Sequence, residues 1–263
     1  MIDNFALEAW LDEFLQARTF KDASFNGLQV QGRGEINSIV TSATASLESI
    51  ERAIAMKADC LLVHHGLFWK GADMRLCGSI RNRVAAALGA DLNIMAYHLP
   101  LDANFELGNN RYLCDIIGGI GTDYIESGVP QSVGMLTLLK EPTGVRELGE
   151  LLHEKLKSEI EVIGANGPDR KLQSVAVCSG SGSFVLDESR KVEFDALITG
   201  DVNEQTYHLA KEYNVAVFAC GHHASEQDGI RLLGERAAKA HSLEASHLHY
   251  DLERGGITIG GKQ

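Results

Sequence analysis

A chain of 263 residues can form one large domain or two of ordinary size around a real core. Hydrophobic residues at 44% and charged residues at 23% are typical of a soluble globular protein. The formal net charge of -12, from 36 acids against 24 bases with no Lys/Arg cluster, disfavours a broad nucleic-acid or anionic-membrane footprint, which needs concentrated positive charge. A few local cations remain enough to hold an anionic small molecule.

Cys60, Cys77, Cys114, Cys178 and Cys220 form no C-x-x-C pair and mostly lie in apolar surroundings, so free thiols in a reducing cytosol are expected. Met1-Ile2-Asp3-Asn4 is acidic and runs into a helical pattern, unlike a signal peptide. No apolar run approaches the roughly 20 residues that span a bilayer. A cytoplasmic protein without membrane partners is expected.

In chain order, residues 5 to 17 place Leu7, Trp10, Leu11, Phe14 and Leu15 at helical spacing, with Asn4 positioned to cap. Asn26-Gly27 signals a turn and 28 to 30 a short strand. A strand over 36 to 44, a helix to about Met56 and an apolar strand over 60 to 63 make a right-handed parallel βαβ unit. That last strand delivers Val63-His64-His65-Gly66 at its carboxyl end, where α/β sheets place their sites. A helix near 79 to 88 and a strand over 92 to 97 then deliver His98-Leu99-Pro100-Leu101-Asp102 at the same edge. Residues 108 to 117 read as helix, and Gly118-Gly119-Ile120-Gly121 as a glycine-rich stop that ends a first half.

The α/β pattern restarts at Val133, giving halves at about 1–125 and 126–263. Strands are expected over 133 to 139, 160 to 163, 174 to 178, 195 to 199 and 215 to 219, with helices over 145 to 156 and 203 to 213. Ser179-Gly180-Ser181-Gly182-Ser183 is either an anion cradle of backbone N–H groups or a bare glycine turn. The strand over 215 to 219 ends at Gly221-His222-His223-Ala224-Ser225-Glu226, a helix begins near Ser225, and residues 247 to 250 close a last strand.

The ligand candidates are therefore His64, His65, Asp102, His222 and Glu226. His222 and Glu226, four apart, share one face if both are helical. His64 and His65 point to opposite faces of a regular strand, so they share a site only if the chain leaves the strand there, which Gly66 permits. Each has a structural alternative: Asp102 as a turn or cap, Glu226 as a first-turn acid stabilised by the helix dipole, His222 as a core histidine. Three imidazoles and two carboxylates exceed one tetrahedral zinc and suit two ions; mixed N/O donors favour zinc, iron, manganese or cobalt. His98 is the candidate general acid or base, or a capping histidine. Glu204 and His208 are candidates to orient a ligand imidazole.

At these residues the chain resembles the Nif-three-like dinuclear-metal proteins, also labelled GTP cyclohydrolase I type 2 homologues. The matching stretches are Asn26-Gly27-Leu28-Gln29-Val30, Val63-His64-His65-Gly66, His98-Leu99-Pro100-Leu101-Asp102, Gly108-Asn109-Asn110, Thr199-Gly200-Asp201 through His208, and Gly221-His222 with Glu226. The resemblance implies two similar, interlocked α/β domains with mixed, largely parallel sheets, assembled as a toroidal homohexamer with sites facing an inner cavity. It implies His64, His65, Asp102, His222 and Glu226 as ligands of two divalent ions. His223 stands where relatives carry an aromatic residue and is not counted. The segment from about Gly121 to Val133 is too short for the extra domain found in some members. The expected function is metal-dependent hydrolysis of a nucleotide or related small molecule, with Lys70, Arg75 or Arg81 meeting phosphates if GTP is the substrate. The alternative is a non-enzymatic, ring-shaped metal-binding, regulatory or metal-carrier protein.

Overall fold

The computed structural model describes residues 1–249 apart from 127, 130 and 191, and only the backbone of 188–190. In chain order the elements are β1 (Ile2–Asp3), α1 (Asn4–Phe14), β2 (Gly27–Val30), β3 (Glu35–Ile36), β4 (Ser38–Thr44), α2 (Leu47–Ala55), β5 (Cys60–His65), α3 (Gly78–Gly89), β6 (Asn93–Ala96), α4 (Leu99–Asp102) and α5 (Asn109–Ile116). Then follow β7 (Gly119–Tyr124), β8 (Met135–Gly144), α6 (Val145–Leu156), β9 (Glu161–Ile163), β10 (Lys171–Cys178), β11 (Ala196–Thr199), α7 (Glu204–Glu212), β12 (Ala216–Ala219), α8 (His222–His241) and β13 (Glu244–His247). The expected last strand thus ends at His247, and Tyr250 lies outside the described residues.

The two main sheets run β13-β4-β5-β6-β2 and β7-β8-β10-β11-β12-β9. In the first, β13, β4, β5 and β6 are parallel and β2 is antiparallel. In the second, β10, β11 and β12 form a parallel centre flanked by antiparallel strands. Each sheet is covered on both sides, which is why its strands are continuous apolar runs. In β5, Cys60 and Leu62 face a core built with Leu7 and Leu11 of α1 and Ile230 and Leu233 of α8. Leu61 and Val63 face a second core with Ile50 of α2 and Val84 of α3. The second sheet divides likewise between Leu148 and Leu152 of α6 on one side and Ala210 of α7 on the other.

The sheets exchange chain across residue 125. β7 pairs with β8 in the second sheet, while α8, which follows β12, packs against β4 and β5 of the first and leads into β13. Residues 119 to 121 are therefore part of a strand rather than a stop, with Gly118 in the turn before it. Gly121, at φ +60, sits where the register shifts between Ile120 and Asp123, a bulge conformation that suits glycine.

The cap of α1 also differs from expectation. Asp3 accepts from the N–H groups of Phe5 and Ala6, whereas Asn4 is buried and donates to the Asn93 side chain at 3.1 Å. Both residue types cap helices; the buried partner on β6 decides which one does so here.

Candidate metal centre

The carboxyl ends of β5 and β6 and the start of α8 converge on one cavity of about 690 Å³. β5 continues through His65, which pairs with Thr44, so the chain does not leave the strand before the second histidine. The two imidazoles nonetheless share the site, with ring centroids 4.5 Å apart and both Nε2 atoms within 3.6 Å of the Glu226 carboxylate. Gly66 serves a steric purpose: a Cβ there would lie 2.4 Å from the Gln29 amide, whose oxygen accepts from Leu67 N–H.

α8 begins at His222, with Gly221 as its cap, so His222 belongs to the helix that also carries Glu226. Their separation of four aligns them, and His222 Nε2 lies 3.1 Å from Glu226 Oε2. Glu226 also reaches His65 Nε2 at 3.3 Å and, through Oε1, His64 Nε2 at 3.6 Å. Asp102, in the single turn of α4, places Oδ1 3.6 Å from His64 Nε2. Three sets of donor atoms fall within 4.8 Å of one another: His64, Asp102 and Glu226; His65, His222 and Glu226; and His64, His65 and His98.

All four imidazoles are held through Nδ1. His64 Nδ1 meets the Tyr97 carbonyl at 3.0 Å, His65 Nδ1 meets Thr44 Oγ1 at 3.2 Å, and His222 Nδ1 meets Asp201 Oδ2 at 2.5 Å. His98 Nδ1 meets Asp22 Oδ1 at 2.8 Å. A carbonyl or carboxylate at Nδ1 keeps the proton there and turns the Nε2 lone pair toward the cavity, the outer-shell arrangement of metal-bound histidines. His64 Nε2 and Glu226 Oε2 are buried and make no hydrogen bond. Orphaned donors of this kind, at this depth, fit a cation.

Electrostatics point the same way. Burial lowers the pKa of His64, but the Asp102 and Glu226 carboxylates outweigh it and push it up to about 9. The Glu226 carboxylate, 3.1 Å from Nε2, leads in raising His222 to about 9. Burial, then the charge of His64, holds His65 down at about 3. Glu226 is pulled below the carboxylate range, where burial opposes the imidazoles and the imidazoles win. Asp102 moves up because burial and then the neighbouring Glu226 charge outweigh His64.

Around these donors, Asp102 Oδ1 accepts from Asn109 Nδ2 at 2.8 Å and from Ser179 Oγ at 3.1 Å. Gly180, at φ +56, leaves room that a Cβ would take 2.2 Å from Glu226 Oε1. The serine-glycine loop is thus packed against the donors, with Gly180 N–H bonded to Ser225 Oγ at 3.1 Å.

The five proposed ligands and His98 come together, while other expectations fail. Glu204 and His208 are exposed on α7; the carboxylate that orients His222 is Asp201. Asp22, which orients His98, lies 76 residues away in a loop that carries no motif, and sequence reasoning missed it. Asp22 is buried, also accepts from Ser24, Asn26 and Leu99, and is held down at about 2, His98 outweighing the opposing effect of burial. Lys70 donates to the Asp22 carbonyl at 2.7 Å, Arg75 pairs with Asp73 on the surface and Arg81 is exposed. Among the described residues no Lys or Arg lines the cavity.

Residues 5–254 match the model of Duf34/NIF3 (NGG1p interacting factor 3). The chain belongs to the Duf34/NIF3 family. It is 38% identical over 250 residues to the GTP cyclohydrolase 1 type 2 homolog of Vibrio cholerae, covering 95% of this chain and 99% of that one. The Neisseria meningitidis serogroup B protein of the same name is 41% identical over 240 residues, covering 90% and 94%. A solved structure, protein ybgI of unknown function, superposes with a TM-score of 0.88 at 36% identity, covering 94% of this chain and 98% of that one. This Duf34/NIF3 chain thus has a mixed α/β fold with His, Asp and Glu clusters able to hold metal. Among its described residues no helix is long and apolar enough to cross a membrane. All five cysteines are free; Cys77 is exposed and the other four are buried.

Proposed function

We propose that this protein binds two divalent transition-metal ions, zinc, iron, manganese or cobalt, and hydrolyses a nucleotide or related small molecule. One observation carries the reading: the donor sets His64, Asp102, Glu226 and His65, His222, Glu226 share a carboxylate. A shared carboxylate between two such sets suits a bridge. When bound, such a pair of ions supplies Lewis-acid polarisation and a water of lowered pKa.

The remaining roles belong to the chain. Asp22 keeps a proton on His98 Nδ1, so Nε2 is the atom that exchanges a proton with the cavity. The His98 ring stands 5.0 Å from that of His64 and 5.0 Å from Trp69, beside the donors. Trp69, Leu99, Val133 and Phe184 supply an apolar wall that limits water access.

A second reading, a ring-shaped metal carrier or regulator, draws on the lack of lining cations among the described residues. Elemental analysis of protein purified without chelators, with hydrolysis screened across nucleotides and phosphoesters, tests both. Hydrolysis that disappears in His64→Ala supports the enzyme; full loading without hydrolysis supports the carrier. A well-loaded sample holding one ion per chain removes the dinuclear reading. The resemblance further supports a cytoplasmic homohexameric ring, for which light scattering is expected to give the mass of six chains; a monomer at micromolar concentration refutes it.

A further inference from the structure

A second cavity, of about 470 Å³, opens beside the metal centre, and the two share Ser181 and Phe184. They differ in chemistry. On the inner cavity the wall beyond the donors is largely apolar and partly aromatic, with Trp69, Leu99, Val133 and Phe184, beside the polar Thr44, Ser179, Ser181 and His223. The outer cavity is ringed by carboxylates, amides and hydroxyls, among them Asp187, Asp201, Asn203, Gln205 and Ser183. Among the described residues neither cavity is lined by Lys or Arg.

We infer that the paired cavities take a nucleoside, with its base against the Trp69 and Phe184 wall beside the donors and its ribose in the outer cavity at Asp201 and Gln205. The inference rests on the reading of the inner cavity as a substrate site and narrows its substrate class. An aromatic wall gains from any planar heteroaromatic ring, because every base offers a π-face. A carboxylate accepting from ribose hydroxyls is the arrangement that dinucleotide folds use for the same group. Asp201 has the capacity: Oδ2 already takes His222 Nδ1 and Ser181 Oγ, while Oδ1 takes no bond from the described residues. Gln205, exposed on the first turn of α7, presents a donor and an acceptor without a partner among the described residues.

Charge separates a nucleoside from a nucleotide. A phosphate carried past the ribose would meet Asp187 and Asp201 with no lining cation among the described residues to offset it, and like charges at close range are repelled. An anion reaching the metal end alone is a different binding mode, and the experiment distinguishes it.

Isothermal titration calorimetry on the zinc-loaded full chain tests the inference, with metal content measured on the same samples. The ligands are the four ribonucleosides, their free bases, the matching triphosphates and inorganic phosphate. At least one nucleoside is expected to bind about tenfold more tightly than its triphosphate. Phe184→Ala is expected to weaken base and nucleoside alike by about tenfold, the scale of one base–aromatic stack. Gln205→Ala is expected to weaken the nucleoside about fivefold and leave the free base unchanged. Both side chains are exposed, so neither variant disturbs a core. Triphosphate binding as tight as the nucleoside, or no nucleoside binding to fully loaded protein, overturns the inference while leaving the metal-centre reading intact. Phosphate binding alone likewise overturns it. Nucleoside binding to a chain that takes up no zinc upholds the pocket and refutes the metal-centre reading.

Discussion

Glu226→Gln keeps the shape of the side chain and removes the charge that three imidazoles face. Its carboxylate is nearly inaccessible, 4% exposed at the side chain, and lies 3.1 to 3.6 Å from Nε2 of His64, His65 and His222. A unit charge acting over about 4 Å at an effective dielectric of about 20 is worth about 4 kcal/mol. At about 1.4 kcal/mol per decade, each ion is expected to bind roughly three orders of magnitude more weakly. The control is Asp102→Asn, which touches the set around His64 and is expected to weaken one ion. Competition against a fluorescent chelator, with elemental analysis of the recovered protein, reads both affinities. Thermal unfolding of the metal-stripped variants separates lost binding from lost fold. Two ions retained by Glu226→Gln at wild-type affinity would leave Glu226 as a helix-terminal acid, and the loss of only one would make it a ligand of that ion alone; either refutes the bridging assignment.

Proton release follows from the raised imidazoles. In the metal-free protein His64 and His222 titrate at about 9 and are charged at pH 7, whereas His65, held at about 3, is neutral. Metal needs all three neutral, so loading at pH 7 is expected to release about two protons per chain and to tighten as pH rises toward about 9, measured by calorimetry in buffers of different ionisation enthalpy. The stability of the metal-free form from these two groups runs the other way: present in full below the unfolded value of about 6.5 and lost as pH rises through about 9. Asp22→Asn is expected to leave metal content unchanged and to lower any hydrolysis by about 10²-fold, the scale of general acid–base catalysis; lost metal instead would make His98 a ligand. Gly180→Ala is expected to cost about 1–2 kcal/mol of stability from its left-handed backbone and to weaken metal binding, because the new Cβ collides with Glu226 Oε1. Unchanged melting and metal affinity would mean that the loop relaxes freely.

Much of this arrangement is carried by local sequence. The strands β4, β5 and β6 are apolar runs bounded by turn signals, and their parallel order follows from the helices between them. Histidine and carboxylate after such strands, and His222 four residues before Glu226, mark a sheet-edge site on residue type and spacing alone. The orienting partners are another matter. Asp22 and His98 are 76 residues apart, and nothing in the sequence around the buried Asp22 distinguishes it from an acid of the surface. Glu204 and His208 have good helical spacing yet face outward, because α7 buries Thr206 and Ala210 instead.

The kinds of element and the residues chemically able to ligate are legible in the chain, since hydrophobic period and side-chain type are local properties. Which of those residues meet depends on long-range packing. α8 leaves the second sheet to pack on the first, and that crossing brings Glu226 within reach of His64 and His65, more than 160 residues earlier in the chain. The same long-range packing selects Asp3 over Asn4 as a cap and Asp201 over Glu204 as the partner of His222. Asn4 is drawn to a buried partner on β6, where an unsatisfied amide would cost more than capping propensity can offset, and Asp3 is left to cap; Asp201 is the acid that the chain after β11 places against His222.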